Sequence, residues 1–134
     1  MKKILYLLSV ITLVSMMISC NNNNSLRKEL LQMSNDLNKD CPMVIDRYTT
    51  LTSTVVIDNS FMYIYKIKQG LLDELGVSKS YWKENQTQNT RNIYCTDPDM
   101  IWFRIKKVPV IWSYEYLDGT NIGKIKITPD DCSK

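Results

Sequence analysis

Histidine is absent from this chain of 134 residues. Its absence excludes the usual Ser-His-Asp and Cys-His forms of nucleophilic catalysis, because both use an imidazole to accept a proton at neutral pH. It also removes the side chain that most often binds zinc and other transition metals. An enzyme of this composition would depend on Asp, Glu, Lys, Tyr or Cys, and these residues form no recognisable catalytic motif. We therefore predict a non-enzymatic protein without a metal or a cofactor.

A large excess of charge of either sign is also absent. The formal net charge is +3, from 17 basic and 14 acidic side chains. Lys2 and Lys3 supply two of the basic residues, so the rest of the chain carries 15 against 14, or +1. The one small basic cluster, residues 103–107, is typical of the solvated end of a short helix, where cations favour the carbonyl end of the dipole. A nucleic-acid partner would require a clustered basic face, and we predict none.

The N-terminal segment contains a single long apolar run. It extends from Ile4 to Ile18, 15 residues without a charge, and follows Lys2 and Lys3. A membrane-spanning helix needs ~20 apolar residues, so this run is too short to span a bilayer comfortably. A basic start, a short apolar stretch and a small residue before a cleavage point are typical of a secretory signal peptide. An ordinary signal peptide and a signal anchor are the alternatives, but the four asparagines at 21–24 favour a solvated spacer after the cleavage point.

The residues at the end of this run, Met17-Ile18-Ser19-Cys20, resemble the lipobox of bacterial lipoproteins. The usual lipobox is Leu, a small or β-branched residue, then Ala, Gly or Ser, then Cys, so Met17 departs from the pattern. The resemblance implies that residues 1–19 are a signal peptide, that Cys20 receives a diacylglycerol thioether, and that its new amino group is acylated. Residues 20–24 would then be the lipidated cysteine and a polar tether to the membrane.

The residue after the lipidated cysteine bears on localisation. In well-studied Gram-negative lipoproteins an Asp at this position retains the protein in the inner membrane, and here the residue is Asn21. The resemblance therefore implies the outer membrane, with the body of the protein facing the periplasm.

The remaining residues, 25–134, are predicted to form one α+β domain. Leu26, Leu30, Met33 and Leu37 follow at spacings of four, three and four, which places them on one face of a helix. A β-hairpin is predicted over 51–67, and a polar helix from 78 or 80 to 94 follows it. A short helix over 100–105 and a second hairpin over 108–128 complete the order α-β-β-α-α-β-β. We expect a two-layer domain, with a mainly antiparallel four-stranded sheet from two hairpins and helices on one face. The polar middle of the long helix, "ENQTQNT", is expected to be a solvated face.

The first strand of the second hairpin carries an alternating apolar stripe. Val108, Val110, Trp112, Tyr114 and Tyr116 share one face. Alternating aromatic residues on a strand usually pack in a core, so we expect this face to lie against the helices. The alternative is that the aromatic face stacks on a small ligand.

Three cysteines remain besides Cys20, at 41, 95 and 132. An exported protein meets an oxidising compartment, so one disulfide is expected. Three thiols allow three single pairings and leave one thiol over.

Two further stretches resemble a group of small exported bacterial proteins of unknown function. One covers residues 38–51 with a P-x-x-x-D-x-x-T pattern at Pro42, Asp46 and Thr49, and the other covers residues 110–132. The resemblance implies no known activity. It does imply that Cys95 and Cys132 belong to the structural frame, and we predict a disulfide between them, which would join the end of the long helix to the segment after the last strand.

The main functional hypothesis is a lipid-anchored binding or assembly module that holds an envelope protein partner near the membrane. Two alternatives stay open: a small-ligand binder that uses the aromatic face, and an acid–base enzyme centred on Asp46, with Arg47 and Thr49 on the same irregular connector. Convergence of Asp46 and Arg47 with Glu115 and Asp118 in an apolar pocket would favour the enzyme. The sequence predicts nothing about the oligomeric state.

Overall fold

The computed structural model describes residues 24–133. The elements follow in this order: α1 (24–40), β1 (Met43–Val44), β2 (Thr49–Ile57), β3 (Ser60–Ile67), α2 (Leu71–Glu74), α3 (Lys79–Thr96), α4 (Ile101–Ile105), β4 (Val110–Tyr116) and β5 (Asn121–Ile127). Short 3-10 helices cover Pro98–Met100 and Pro129–Ser133.

The five strands form one sheet in the order β1-β2-β3-β4-β5. Neighbouring strands are antiparallel except β3 and β4, which run parallel from the pair Phe61 and Val110 to the pair Ile67 and Tyr116. The predicted α+β fold with helices on one face of a mainly antiparallel sheet is confirmed. The predicted count of four strands is wrong, because β1 adds a two-residue edge strand that pairs with β2.

Helix α1 packs its apolar face on the sheet near β2. Leu30 is fully buried. Ser34 and Asn38 lie on the same side of the helix and both bind the backbone of Thr54, a buried residue of β2. These hydrogen bonds satisfy polar groups that would otherwise be costly to bury, and they set the position of α1 against the strand.

The end of α3 is held by several contacts. Tyr94 is fully buried, and its hydroxyl donates to the carbonyl of Val108 at 2.9 Å. The guanidinium of Arg104 donates to the carbonyls of Tyr94 and Asp97, which lie at the C-terminal end of the helix. Cations and donors at this position stabilise carbonyls that have no partner within the helix.

The other face of the sheet carries no helix among the described residues. Lys66 of β3 and Glu115 of β4 face each other there across the parallel pair, with Nζ and Oε2 2.9 Å apart.

Within residues 24–133, no helix is long and apolar enough to cross a membrane. The same part of the chain contains no group of three or more acidic or cysteine side chains that could hold a metal ion.

Candidate binding site

A cavity of about 490 Å³ lies between α3 and the helix-facing side of the sheet. Its volume is within the range of roughly 300–1,000 Å³ that ligand pockets usually have. Three parts of the chain line it. They are the sheet residues Tyr65, Ile67, Trp112 and Tyr114, the α3 residues Trp82, Gln86, Asn89 and Ile93, and the connector 45–49 together with Leu71.

The sheet wall of the cavity is aromatic. Parallel pairing of β3 and β4 places Tyr65 directly beside Tyr114, and the two rings stack with centroids 5.3 Å apart and planes 18° apart. Trp82 of α3 meets Tyr114 edge-on, at 5.0 Å and 87°. Both arrangements are favourable for aromatic quadrupoles. The aromatic stripe of β4 therefore packs toward the helices, as the alternation predicts, and the same rings form one wall of the cavity.

The hydroxyls of this wall are neutral donors. Burial raises the pKa of Tyr65 to about 12, with a smaller contribution from Cys41, and burial also raises the pKa of Tyr114. Neither hydroxyl makes a hydrogen bond to another residue in the described part of the chain. Both groups can therefore donate to, or accept from, a molecule that enters the cavity.

The helix wall is formed by one face of α3. Trp82, Gln86, Asn89 and Ile93 are spaced by four, three and four residues, so they share one face of α3, and that face lines the cavity. Thr90, next to it, is almost fully buried. The predicted solvated face is present at Glu84, Asn85, Gln88 and Asn89, which are exposed, whereas Gln86 and Thr87 are partly buried and Thr90 is buried. The signal is present in the helical spacing, but polar side chains at these positions resemble an ordinary surface.

The helix wall contains two side-chain amides, those of Gln86 and Asn89, that are available to a bound molecule. Between residues 24 and 133, nothing hydrogen-bonds to the side chain of Gln86 or Asn89, whereas Asn85, one step round the helix, donates to the carbonyl of Tyr81. Each free amide offers two donors and an acceptor. The cavity therefore combines apolar aromatic surface with a few polar groups, which is the usual composition of a binding site.

The connector brings all three predicted site residues, Asp46, Arg47 and Thr49, into the same cavity. Asp46 accepts a hydrogen bond from the backbone of Tyr48 at 2.7 Å, and its own N–H donates to the carbonyl of Thr49. The guanidinium of Arg47 lies 4.5 Å from the centre of the Tyr48 ring. Asp46 is thus a backbone acceptor in a tight turn, and the turn presents Arg47 and Thr49 at the edge of the aromatic wall.

The acid–base constellation does not form. Glu115 pairs with Lys66 on the far face of the sheet. Asp118 lies in the turn between β4 and β5, where a hydrogen bond from the backbone of Thr120 and others from Thr120 and Gln69 lower its pKa. Neither carboxylate lines the cavity that holds the connector.

The structure joins Cys95 of α3 to Cys132 by a disulfide. Cys41 is free and half-buried, and its pKa is raised by burial first and by the charge of Asp40 second. Cys20, the predicted lipidation site, lies outside the described residues, as does most of the tether.

Comparison with known proteins reveals similarity only at the level of structure. No family model and no curated protein matches the sequence. A Pseudomonas aeruginosa protein that is described as secreted has a TM-score of 0.73 at 10% sequence identity. The match covers 84% of this chain and 96% of the Pseudomonas protein. The type II secretion pilotin EpsS of Vibrio vulnificus has a TM-score of 0.67 at 12% identity, covering 82% and 94%. The type II secretion pilotin AspS of Vibrio cholerae has a TM-score of 0.66 at 10% identity, covering 85% and 98%. At these identities the similarity shows the fold.

Proposed function

We propose that this protein is a lipid-anchored, non-catalytic binding or assembly module of the bacterial cell envelope, attached through Cys20 to the outer membrane and facing the periplasm. One observation carries the proposal. The connector and the aromatic sheet face, which are far apart in the sequence, meet in a single cavity. Two further features support it: the lipobox-like residues before the tether, and a fold shared with two type II secretion pilotins.

The groups in the cavity suit binding better than proton transfer. The carboxylate of Asp46 accepts a backbone hydrogen bond, and Arg47 stacks on a neighbouring ring. A general base must reach the proton that it removes, and Asp46 is exposed and engaged in its own turn. The neutral hydroxyl of Tyr114 and the amide of Gln86 can orient a bound group without changing it.

The partner that fits this site is a segment of an envelope protein. An apolar side chain of the segment would pack on the aromatic wall beside the Trp82–Tyr114 contact, and its backbone would hydrogen-bond to the amides of Gln86 and Asn89. A component of a type II secretion system is the first partner to seek, because two of the similar structures are pilotins of such systems.

Site-specific photo-crosslinking in cells tests this proposal. Asn89 and Glu84 are both exposed on α3, but only Asn89 lines the cavity, so a photoreactive amino acid at position 84 is a matched control for one at position 89. We expect a discrete protein adduct from position 89 and none from position 84. Equal adducts from both positions, or none from either, would show that the cavity is not the partner site.

A small-molecule ligand is the second candidate, and the size of the cavity together with its free hydroxyls favours it. Native mass spectrometry of the protein released gently from its own membranes tests this alternative. A bound small molecule whose retention is weakened when Tyr114 is replaced by Phe, combined with the absence of a protein adduct at Asn89, would favour ligand binding over a protein partner.

A further inference from the structure

One end of the domain combines exposed isoleucines with basic side chains. It comprises the first turns of α1, the turn between β2 and β3, and α4 with the two lysines that follow it; we call it the α4 end. Arg27 of α1 donates to the carbonyl of Asp58 at 2.9 Å, and Lys106 lies 3.6 Å from Glu29 of α1. These contacts hold the three segments together.

Helix α4 turns its apolar side chains both inward and outward. Phe103 is buried in the core, whereas Ile101 and Ile105 are 53% and 71% exposed. The two isoleucines are four residues apart, so they share one face of the helix. Trp102 is half-buried beside them, and Lys106 lies 5.9 Å from the centre of its ring. Isoleucine, tryptophan and lysine on one short helix are typical of a segment that lies in a membrane interface.

The charge at the α4 end favours an anionic surface. Arg27, Lys28, Lys106 and Lys107 are exposed there. The carboxylates among them are those of Glu29, which pairs with Lys106, and Asp58. Asp97 and Asp99 precede α4, and Asp99 is exposed two residues before Ile101, so the basic side chains are concentrated at the C-terminal end of α4 and on α1. Basic residues close to an anionic bilayer are attracted to its surface.

The tether places this end near the bilayer, an argument that rests on the proposed lipidation. Cys20 precedes residue 24 by four positions. An extended chain spans at most about 3.6 Å per residue, so the lipidated cysteine lies within roughly 14 Å of the start of the described helix. Arg27 and Glu29 connect that part of α1 to the turn at Asp58 and to Lys106.

We propose that the α4 end docks on the surface of a bilayer that contains anionic phospholipid. Ile101 and Ile105 enter the headgroup region, and Lys106 and Lys107 contact the phosphates. Because α1 covers 17 residues from 24 to 40, it extends roughly 25 Å away from this end at 1.5 Å per residue. The connector follows α1 and lies beside the opposite end of β3, where Lys68 binds the carbonyl of Tyr48. Docking therefore presents the cavity away from the membrane, toward a partner.

Tryptophan quenching in reconstituted vesicles tests the docking. The chain has three tryptophans, and two of them, Trp82 and Trp112, line the cavity, so only Trp102 lies at the α4 end. Full-length lipoprotein is reconstituted into vesicles of phosphatidylethanolamine and phosphatidylglycerol, with or without bromine on the acyl chains near the headgroups. We expect the brominated lipid to reduce the emission, and we expect this loss to disappear in Trp102→Phe.

Matched substitutions at the two ends make the test specific. Replacing Ile101 and Ile105 by Glu should abolish the quenching while the protein stays on the vesicles through its lipid. Replacing Val44 and Leu117 by Glu, at residues that are 78% and 65% exposed beside the connector, should leave the quenching unchanged. Circular dichroism of each variant checks that it is folded.

Three outcomes contradict the docking and leave the anchor intact, and a fourth contradicts both. Equal emission in plain and brominated vesicles, or quenching that survives the Ile101 and Ile105 substitutions, would overturn the docking alone. An equal loss of quenching in the Val44 and Leu117 variant would also overturn it. Protein that fails to float with the vesicles would overturn the lipid anchor and the docking together.

Discussion

Tyr65 and Tyr114 stack across the parallel pair of strands at the centre of the sheet, with ring centroids 5.3 Å apart. The two residues belong to different hairpins, so this contact joins the N-terminal and C-terminal halves of the sheet. Trp82 of α3 meets the same pair from the helical layer. The stack therefore contributes both to the packing of the domain and to the wall of the cavity.

The first prediction separates these two roles at Tyr114. Tyr114→Ala should lower the free energy of unfolding by about 3–5 kcal/mol, because it removes a buried ring from the core. Tyr114→Phe should change it by less than ~0.5 kcal/mol, because the hydroxyl makes no hydrogen bond to the described residues and the ring remains. Urea unfolding of the oxidised protein measures both values. A large loss of stability in Tyr114→Phe would show that the hydroxyl has a structural partner.

Local patterns in the sequence predict much of the fold. Apolar residues at helical spacing predict the buried side of α1, where Leu30 is fully buried, and alternation in β4 predicts that Trp112 and Tyr114 face the helices. The edge strand β1 is not predicted, because two residues are too few to show alternation. The parallel pairing of β3 with β4 is not predicted either, because the residue pattern of a strand does not determine which other strand it pairs with.

The candidate site is predictable only in parts. The connector residues Asp46, Arg47 and Thr49 and the aromatic face are each indicated by the sequence, but their meeting depends on the tertiary arrangement of the sheet and α3. Gln86 and Asn89 are not predicted, because polar residues on a helix are normally solvated and only their spacing from Trp82 places them on the face that lines the cavity.

The second prediction concerns stability at alkaline pH. The pKa of Tyr65 is raised to about 12 by burial, whereas tyrosine in an unfolded chain ionises near pH ~10. Between these values the folded state keeps a proton that the unfolded state has lost, so the stabilising contribution is fully present below pH ~10 and is lost as the pH rises through the folded pKa. Unfolding free energies should therefore fall over this window, and they should fall less steeply in Tyr65→Phe.

Both proteins in that experiment should carry Cys41→Ser, because a thiolate formed at high pH could attack the disulfide. Identical slopes for the protein that keeps Tyr65 and for the Tyr65→Phe variant would show that the buried hydroxyl does not couple to folding. A second group that ionises at alkaline pH would lower the unfolding free energy of both proteins equally. The difference in unfolding free energy between them would stay the same.

The third prediction concerns the disulfide between Cys95 and Cys132, which are 37 positions apart in the sequence. The bond closes the loop that contains α4, β4 and β5. Chain-entropy arguments for a loop of this length give about 3–4 kcal/mol. Cys95→Ser with Cys132→Ser should lower the unfolding free energy by about that amount, whereas Cys41→Ser should have little effect. Non-reducing peptide mapping checks the pairing, and a peptide that links Cys41 to either partner would contradict it.

The fourth prediction is lipidation of Cys20. Without its thiol no thioether can form, so Cys20→Ala should move the protein from the membrane pellet to the soluble exported fraction or stall its processing. Metabolic labelling with an alkyne fatty acid should mark the wild type and the Cys41→Ser control, and it should not mark Cys20→Ala. Equal labelling of the wild type and Cys20→Ala would contradict the prediction that Cys20 is lipidated.

The last prediction distinguishes a binding module from an enzyme at Asp46. The carboxylate accepts a hydrogen bond from the backbone of Tyr48, and loss of one such bond costs about 1 kcal/mol. Asp46→Ala should therefore lower the unfolding free energy by about that amount, and Asp46→Asn, which keeps an acceptor, should recover most of it.

In a binding module, Asp46→Asn should also capture the partner crosslinked at Asn89 as well as the wild type does, because the turn that presents Arg47 and Thr49 would be preserved. In an enzyme, Asp46→Asn would lose its activity at unchanged stability, because an amide cannot act as a general base at neutral pH. The two substitutions thus separate a carboxylate that shapes a turn from one that transfers a proton. A substrate turned over by the wild type and left intact by a folded Asp46→Asn variant would contradict the binding-module proposal.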